Sequence, residues 1–175
     1  MADYPQHLVR PHHLFDGTQI VIRPIRAEDA AIEQDFVRGL SDDSRYNRFM
    51  GQLRELAPRK LQYFTEIDYE QHMALIATVM RDDHEIEIGV ARYFVSPGNE
   101  SCEFAVAVDD AWHGTGVAGL LMLDLIAAAR GRGLKTMEGF VLTSNHKMLK
   151  FTRQLGFEFH RDIGEGDTVR VIKTL

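Results

Sequence analysis

The period of apolar and polar positions changes several times along the chain, and each change marks an element. Asp16-Gly17 is a turn signal, and Gln19-Ile20-Val21-Ile22-Arg23 alternates as a short strand that Pro24 stops. From Ala27 the period lengthens: Ile32, Phe36, Val37 and Leu40 recur on one helical face, and Glu28 and Asp29 sit in the first turn, where negative charge offsets the helix dipole. Ser41-Asp42-Asp43 starts a fresh helix that runs through Tyr46 and Phe49 to Gly51, and Pro58 opens another through Tyr63. Met73 to Val79 and Glu85 to Val95 form a hairpin around Asp82-Asp83, with Ile86, Ile88 and Val90 alternating in its second arm. The turn Ser96-Pro97-Gly98-Asn99 then leads into a third meander strand, Cys102 to Val108.

Past that strand the pattern becomes apolar almost all round, from about Thr115 to Arg130, with only Asp124 breaking it, so this helix is expected to be heavily buried. Gly131 and Gly133 end it. Thr136 to Leu142 reads as a strand, and Ser144-Asn145 starts a helix with Met148, Leu149 and Leu155 on its apolar side, stopped by Gly156. Phe157 to His160 and Thr168 to Ile172 pair as a final hairpin around Gly164-Glu165-Gly166. The order predicts an α/β (α+β) fold: one mixed, mostly antiparallel twisted sheet flanked by helices, with a single parallel step where the long helix crosses over. Residues 1–16 lack a sustained period and are expected to be a loose arm, leaving residues 17–175 as one domain.

Composition narrows the class. The 175 residues are enough to bury a core without staples, and 45% apolar with 26% charged residues is the balance of a soluble globular protein. A net charge of −6 argues against nucleic acid as a partner. No apolar run reaches the roughly 20 residues that span a bilayer, so no membrane partner is expected. The single cysteine, Cys102, excludes an internal disulfide framework and fits a reducing, cytoplasmic setting. His7, His12 and His13 lie close together in the arm, but no carboxylate or cysteine accompanies them at ligand spacing, so no metal site is expected.

The candidate chemistry lies in His113-Gly114-Thr115-Gly116-Val117-Ala118-Gly119. A strand that ends in a glycine-rich loop and then opens a helix directs backbone N–H groups and the positive end of the dipole at one spot, which suits a phosphate. Thr115 is placed to cap the helix. The letters also spell the dinucleotide fingerprint, but most of the chain precedes them. The next strand lacks an acidic residue near its end to hold a ribose; Glu138 comes too early. A single pyrophosphate-bearing ligand ranks above a nicotinamide or flavin, and a tight turn without a ligand is the simpler alternative. In the preceding strand, period two puts Cys102, Phe104, Val106 and Val108 on one face and Glu103, Ala105 and Ala107 on the other. Pattern alone favours a solvated Glu103; a carboxylate beside two small residues also fits one that projects toward a ligand.

These features together resemble the GNAT superfamily of N-acetyltransferases from Gln19 onward. The family's acetyl-CoA loop has Gln or Arg, two residues, Gly, one residue, then Gly or Ala, and His113, Gly116 and Ala118 stand at those places. Asn145 and Gly156-Phe157 match the later signature. A closer likeness, to the acetyltransferase domain of bacterial protein-lysine acetyltransferases, covers Ile22-Arg23-Pro24-Ile25-Arg26, Leu40 to Tyr46, Arg48-Phe49, Leu53 to Leu56, Ile67-Asp68-Tyr69 and Glu103 to Val106.

The resemblance implies acetyl-CoA as cosubstrate and a primary amine as acceptor, a protein lysine first, with Glu103 as general base. Backbone groups of Val106, Ala107 and Val108 are implied to meet the pantetheine arm, the loop from His113 to Gly119 the pyrophosphate, and Asn145 the CoA arm. His113 and Thr152 depart from the family, the latter standing where many members have a tyrosine that protonates the leaving thiolate. Cys102 is expected to be a buried hydrophobe, Trp112 packing, Tyr69 and Tyr93 core or surface aromatics, and Arg45, Arg48 and Arg54 solvated charges; His146 and His160 have no assigned role. A small-molecule amine acetyltransferase, a catalytically idle CoA-binding module and a homodimer all stay open.

Overall fold

The computed structural model describes residues 2–160 and 166–175, and carries one eight-stranded sheet in the order β1-β2-β3-β4-β5-β6-β8-β7. The strands are β1 (Arg10–His13), β2 (Gln19–Pro24), β3 (His72–Arg81), β4 (His84–Val95), β5 (Ser101–Val108), β6 (Thr136–Leu142), β7 (Glu158–His160) and β8 (Thr168–Thr174). The helices are α1 (Ala30–Gly39), α2 (Asp42–Phe49), α3 (Pro58–Thr65), α4 (Val117–Gly131) and α5 (His146–Gln154). All neighbours are antiparallel except β5 and β6, the parallel step expected where α4 crosses over. In the last hairpin β8 takes the place beside β6 and β7 forms the edge; residues 164 and 165 of its expected turn lie outside the described residues.

Two cores sandwich the sheet. One face carries Ile20, Ile22, Leu75, Tyr93, Phe104, Val106 and Val171 against α4 and α5. The other carries Ala74, Ile76 and Val90 against α1, α2 and α3, through Phe36, Val37, Leu40 and Phe64. Helix α4 buries Val117, Leu121, Met122, Leu125, Ile126 and Ala129, but Leu123 is 57% exposed, so its unbroken apolarity overstates its burial. No described helix is long and apolar enough to cross a membrane.

Two expectations are corrected here. The arm is not loose throughout: Arg10 to His13 pair with β2, and His12 Nε2 lies 3.0 Å from Asp124 Oδ2, which accounts for the one carboxylate on α4. The alternation of Ile86, Ile88 and Val90 also fails. A bulge sets Gly89 opposite Ala77 but Glu87 opposite Thr78, leaving Ile88 as the extra residue. Ile88 therefore joins the α4 core, and Val90 the opposite one.

Beneath α1, charged groups are buried together. Arg92 is 1% exposed and donates to Phe64 O at 3.1 Å and to His72 Nε2 at 2.9 Å, with Glu33 Oε2 3.6 Å away. Burial, then the guanidinium, holds His72 down to about 3, so its ring is neutral. Burial pushes the Glu33 carboxyl up, opposed by Arg92; Glu87 is pushed well up by burial and by Glu33 beside it.

Two predictions follow from packing and charge. A Cβ at Gly139 would come within 2.5 Å of Phe104 Cε1, so Gly139→Ala should lower stability by about 1–3 kcal/mol in urea titration; an unchanged midpoint would show that the ring yields freely. A raised Glu87 means that the folded state holds a proton the unfolded chain releases, so stability falls as pH rises above the usual glutamate range. Glu87→Gln should therefore raise Tm at pH 7 and lose that advantage toward pH 4; a gain independent of pH would refute the assignment.

Candidate active site

The site is built where two neighbouring strands part. β5 and β6 pair at Ser101↔Thr136, Cys102↔Met137 and Glu103↔Glu138, and no further. Beyond that rung β5 stays with β4 as far as Val108, while β6 continues with β8 to Leu142. A cleft opens between them, and the β6-facing edge of β5 from Phe104 to Val108 has no strand to bond. Phe104 fills the fork on the α4 face: its ring occupies the space left by the missing side chain of Gly139 and lies 5.1 Å from the ring of Phe157.

Glu103 stands on the last paired rung, on the opposite face from Cys102, and shares that face with Ala105 and Ala107 as the period-two pattern implies. Across the β4 pairing, the same face carries Phe94, Arg92 and Val90. Glu138 is its partner in the parallel register, and Arg170 on β8 donates to Glu138 Oε2 from Nε at 2.9 Å and forms an ion pair with it, Nη2 lying 2.8 Å away. Glu103 is exposed as a residue, yet surrounding protein strips part of its carboxyl's hydration. That loss raises its pKa, Glu138 adds to the rise, and Arg48 opposes it.

Arg48 and Glu138 are the members of this group that sequence reasoning missed. Arg48 is half-buried and lines a narrow notch with Glu33, Phe49, Phe64, Arg92 and Ala107. Burial, then Arg92, brings its pKa down to about 10, against the pull of Glu33 and Glu103. It comes from α2, whose start is fastened to the segment after β5. Asp110 accepts from Ser41 N at 3.0 Å, Ser41 Oγ at 2.9 Å and Ser44 Oγ at 2.9 Å, while Ser41 caps Ser44 N. The expectation of solvated arginines is corrected for Arg45 too: it is 9% exposed and donates to Arg38 O at 3.0 Å, to Leu40 O and to Asp42. Arg54 is exposed.

At the far end of β5 the glycine loop leads into α4. Thr115 does not cap the helix; its hydroxyl donates to Trp112 O, and Gly116, at φ +95°, is the capping residue because the left-handed backbone there admits no side chain cheaply. His113 Nε2 lies 2.9 Å from Val108 O. A carbonyl only accepts, so that nitrogen carries the proton, and the ring closes the loop onto β5. Among the described residues, the N–H groups of Gly114, Thr115, Gly116, Val117, Ala118 and Gly119 meet no protein acceptor. These amides and the positive end of the dipole of a 15-residue helix converge at the end of β5.

The remaining candidates are placed as follows. Val106 and Val108 are buried, with their backbone groups on the open edge of β5; Ala107 is half-buried and its N–H and C=O face Val90 on β4, so it reaches the cleft by its side chain's face and not by its backbone. Asn145 caps α5, its Oδ1 accepting from Met148 N at 3.3 Å. Thr152 is fully buried and its hydroxyl donates to Leu149 O at 3.0 Å, so it cannot replace a tyrosine facing the cleft. Cys102 is buried, with its thiol pushed up to about 12 chiefly by burial. Trp112 is partly buried against the α4 core. Tyr93 is in the α4 core, and Tyr69 donates to Ile25 O at 2.6 Å, which ties up its hydroxyl. His146 and His160 are exposed.

Residues 19–158 match the model of the acetyltransferase (GNAT) domain. The chain is 36% identical over 162 residues to an acetyltransferase of Pseudomonas aeruginosa, covering 93% of this chain and 86% of that one. It superposes on the crystal structure of the GNAT domain of S. lividans PAT with a TM-score of 0.92 at 30% identity, over 99% of this chain and 100% of that one. It shares the fold of yncA from Salmonella typhimurium, a putative acetyltransferase solved with acetyl-CoA, at a TM-score of 0.70 and 17% identity over 89% and 94% of the two chains. The chain belongs to the GNAT family: it is an N-acetyltransferase, and acetyl-CoA is its cosubstrate.

Proposed function

We propose that residues 17–175 form a cytoplasmic protein-lysine acetyltransferase unit in which Glu103 is the general base. The observation that carries this is a partly dehydrated carboxyl on the last rung before β5 and β6 part, with the converging loop amides at the other end of the opening. Amides from Gly114 to Gly119 hold the pyrophosphate of acetyl-CoA, and His113, whose own amide donates to Asp110 O at 3.3 Å, fixes the loop for them. Asn145 keeps its cap through Oδ1 and offers Nδ2 to the CoA arm. The free edge at Val106 and Val108 pairs with the pantetheine amides and orients the thioester carbonyl, the role a β partner would otherwise fill, while Ala107 between them holds β5 to β4.

A lysine amine has a pKa near 10.4 and must lose a proton before it can attack. Glu103 takes that proton, directly or through a water, and the nitrogen, cationic once the C–N bond has formed, gives its second proton to solvent. The C–S bond then breaks and the CoA thiolate takes a proton from solvent, since Thr152 is turned away. Raising the pKa of Glu103 makes its carboxylate a better proton acceptor. Protein lysine as the acceptor is supported by the likeness to a PAT domain, a protein acetyltransferase; the open groove at the end of α2, lined by Asp42, Asp43, Tyr46 and Arg54, carries charges of both signs and does not select a basic segment.

Glu103→Gln should bind acetyl-CoA as before yet lower kcat about 10²- to 10⁴-fold on a protein substrate followed by mass spectrometry of acetyl-lysine; full activity would remove Glu103 as base. Turnover on small amines alone would replace the protein acceptor, and acetyl-CoA binding with no turnover on any amine would favour a CoA-binding module. The acid limb of kcat/KM should lie above the usual glutamate range. Glu138→Gln, which removes a negative neighbour, should move that limb to lower pH, and Arg48→Gln should move it higher. A limb unmoved by either change would mean that another group titrates.

A further inference from the structure

Among the described residues Phe15 is the most exposed large apolar side chain, at 99%. It stands at the tip of the β1–β2 hairpin, in a turn closed by Leu14 N to Thr18 O at 2.9 Å, Gly17 N to Leu14 O at 2.9 Å and Thr18 N to Asp16 Oδ1 at 2.9 Å. Leu14 is buried and anchors the turn, so Phe15 is held outward by a fixed backbone and is not the end of a frayed segment. The hairpin runs along α4: the His12–Asp124 contact fastens its first strand to the middle of that helix. Its tip therefore falls over the helix start. The Phe15 ring approaches Gly116 so closely that a Cβ there would lie 3.5 Å from Cε2 and 3.9 Å from Cδ2.

The exposed ring thus overhangs the glycine that, together with its neighbours, offers six amides without protein acceptors among the described residues. A pyrophosphate held by those amides carries a ribose and a purine on its outer side, away from the cleft that takes pantetheine. The base needs only the length of one sugar to reach the hairpin tip. We propose that Phe15 is a stacking platform for the adenine base of acetyl-CoA, so that the nucleotide half of the cosubstrate gains an aromatic contact from the N-terminal hairpin. Every base has a π face, and stacking on a phenyl ring adds affinity without adding a hydrogen bond. The inference rests on the loop as the pyrophosphate site.

Binding of CoA, 4′-phosphopantetheine and pantetheine to the full chain by calorimetry separates the two claims. For Phe15→Ala the dissociation constant for CoA should rise about tenfold, that for 4′-phosphopantetheine should not change, and Phe15→Trp should restore CoA binding. Unchanged CoA affinity in Phe15→Ala, or an equal loss for 4′-phosphopantetheine, would overturn the stacking role. If sedimentation showed the wild type to be a dimer that Phe15→Ala dissociates, with CoA affinity unaffected, the ring would belong to a contact between copies. If the wild-type chain bound CoA no more tightly than pantetheine, the pyrophosphate site itself would fail, and the stacking role with it.

Discussion

The site depends on the loss of strand pairing after the Glu103–Glu138 rung. A parallel pair that continued would satisfy the edge of β5 with β6 and leave nowhere for a ligand's amides to bond. The two strands are instead held by other neighbours, β5 by β4 and β6 by β8, so each keeps its own course as they separate. Phe104 lies in the fork against Gly139 and Phe157, making the parting a packed feature of the α4 core. The opening is therefore stiff on one face and carries Glu103 and Glu138 on the other, the rigidity that the proposed placement of a thioester beside Glu103 requires.

That polar face has an electrostatic order. Glu103 and Glu138 share a rung, Arg170 draws on the outer carboxylate, and Arg48 approaches the inner one from α2. Two like charges so close favour the protonated form of one, while a single half-buried guanidinium keeps that rise in bounds. Arg48 is in turn held by the fastening of α2 to Asp110, immediately before the glycine loop. The helix that brings Arg48 toward Glu103 and the glycine loop thus share one small hydrogen-bonded joint, so a disturbance at either end has a short path to the other.

Much of this was legible because it is local. The turn at Asp82-Asp83, the cap at Ser41, the outward glutamate among alanines and the glycine loop each declare themselves within a few residues. β1 did not, because Arg10-Pro11-His12-His13 is a polar edge strand whose order comes from β2 and Asp124. Nor did the bulge at Ile88, which needs the partner strand to be seen. The nearness of Glu103 to Glu138 spans a whole crossover, and Arg48 is indistinguishable by composition from a solvated helix charge. Thr115 shows the limit of local rules: a good capping residue stands next to a glycine that holds the capping position by its backbone alone.

The central claim is that acetyl-CoA lies in the cleft between β5 and β6 with its pyrophosphate on the loop before α4. Following backbone amide resonances of the ¹⁵N-labelled chain during titration with CoA tests it most directly. The account predicts large shifts and slowed exchange at Gly114 through Gly119 and along Val106 to Val108, with the paired rungs from Ser101 to Glu103 little disturbed. Shifts confined to the groove of α2, with the loop amides unmoved, would contradict it.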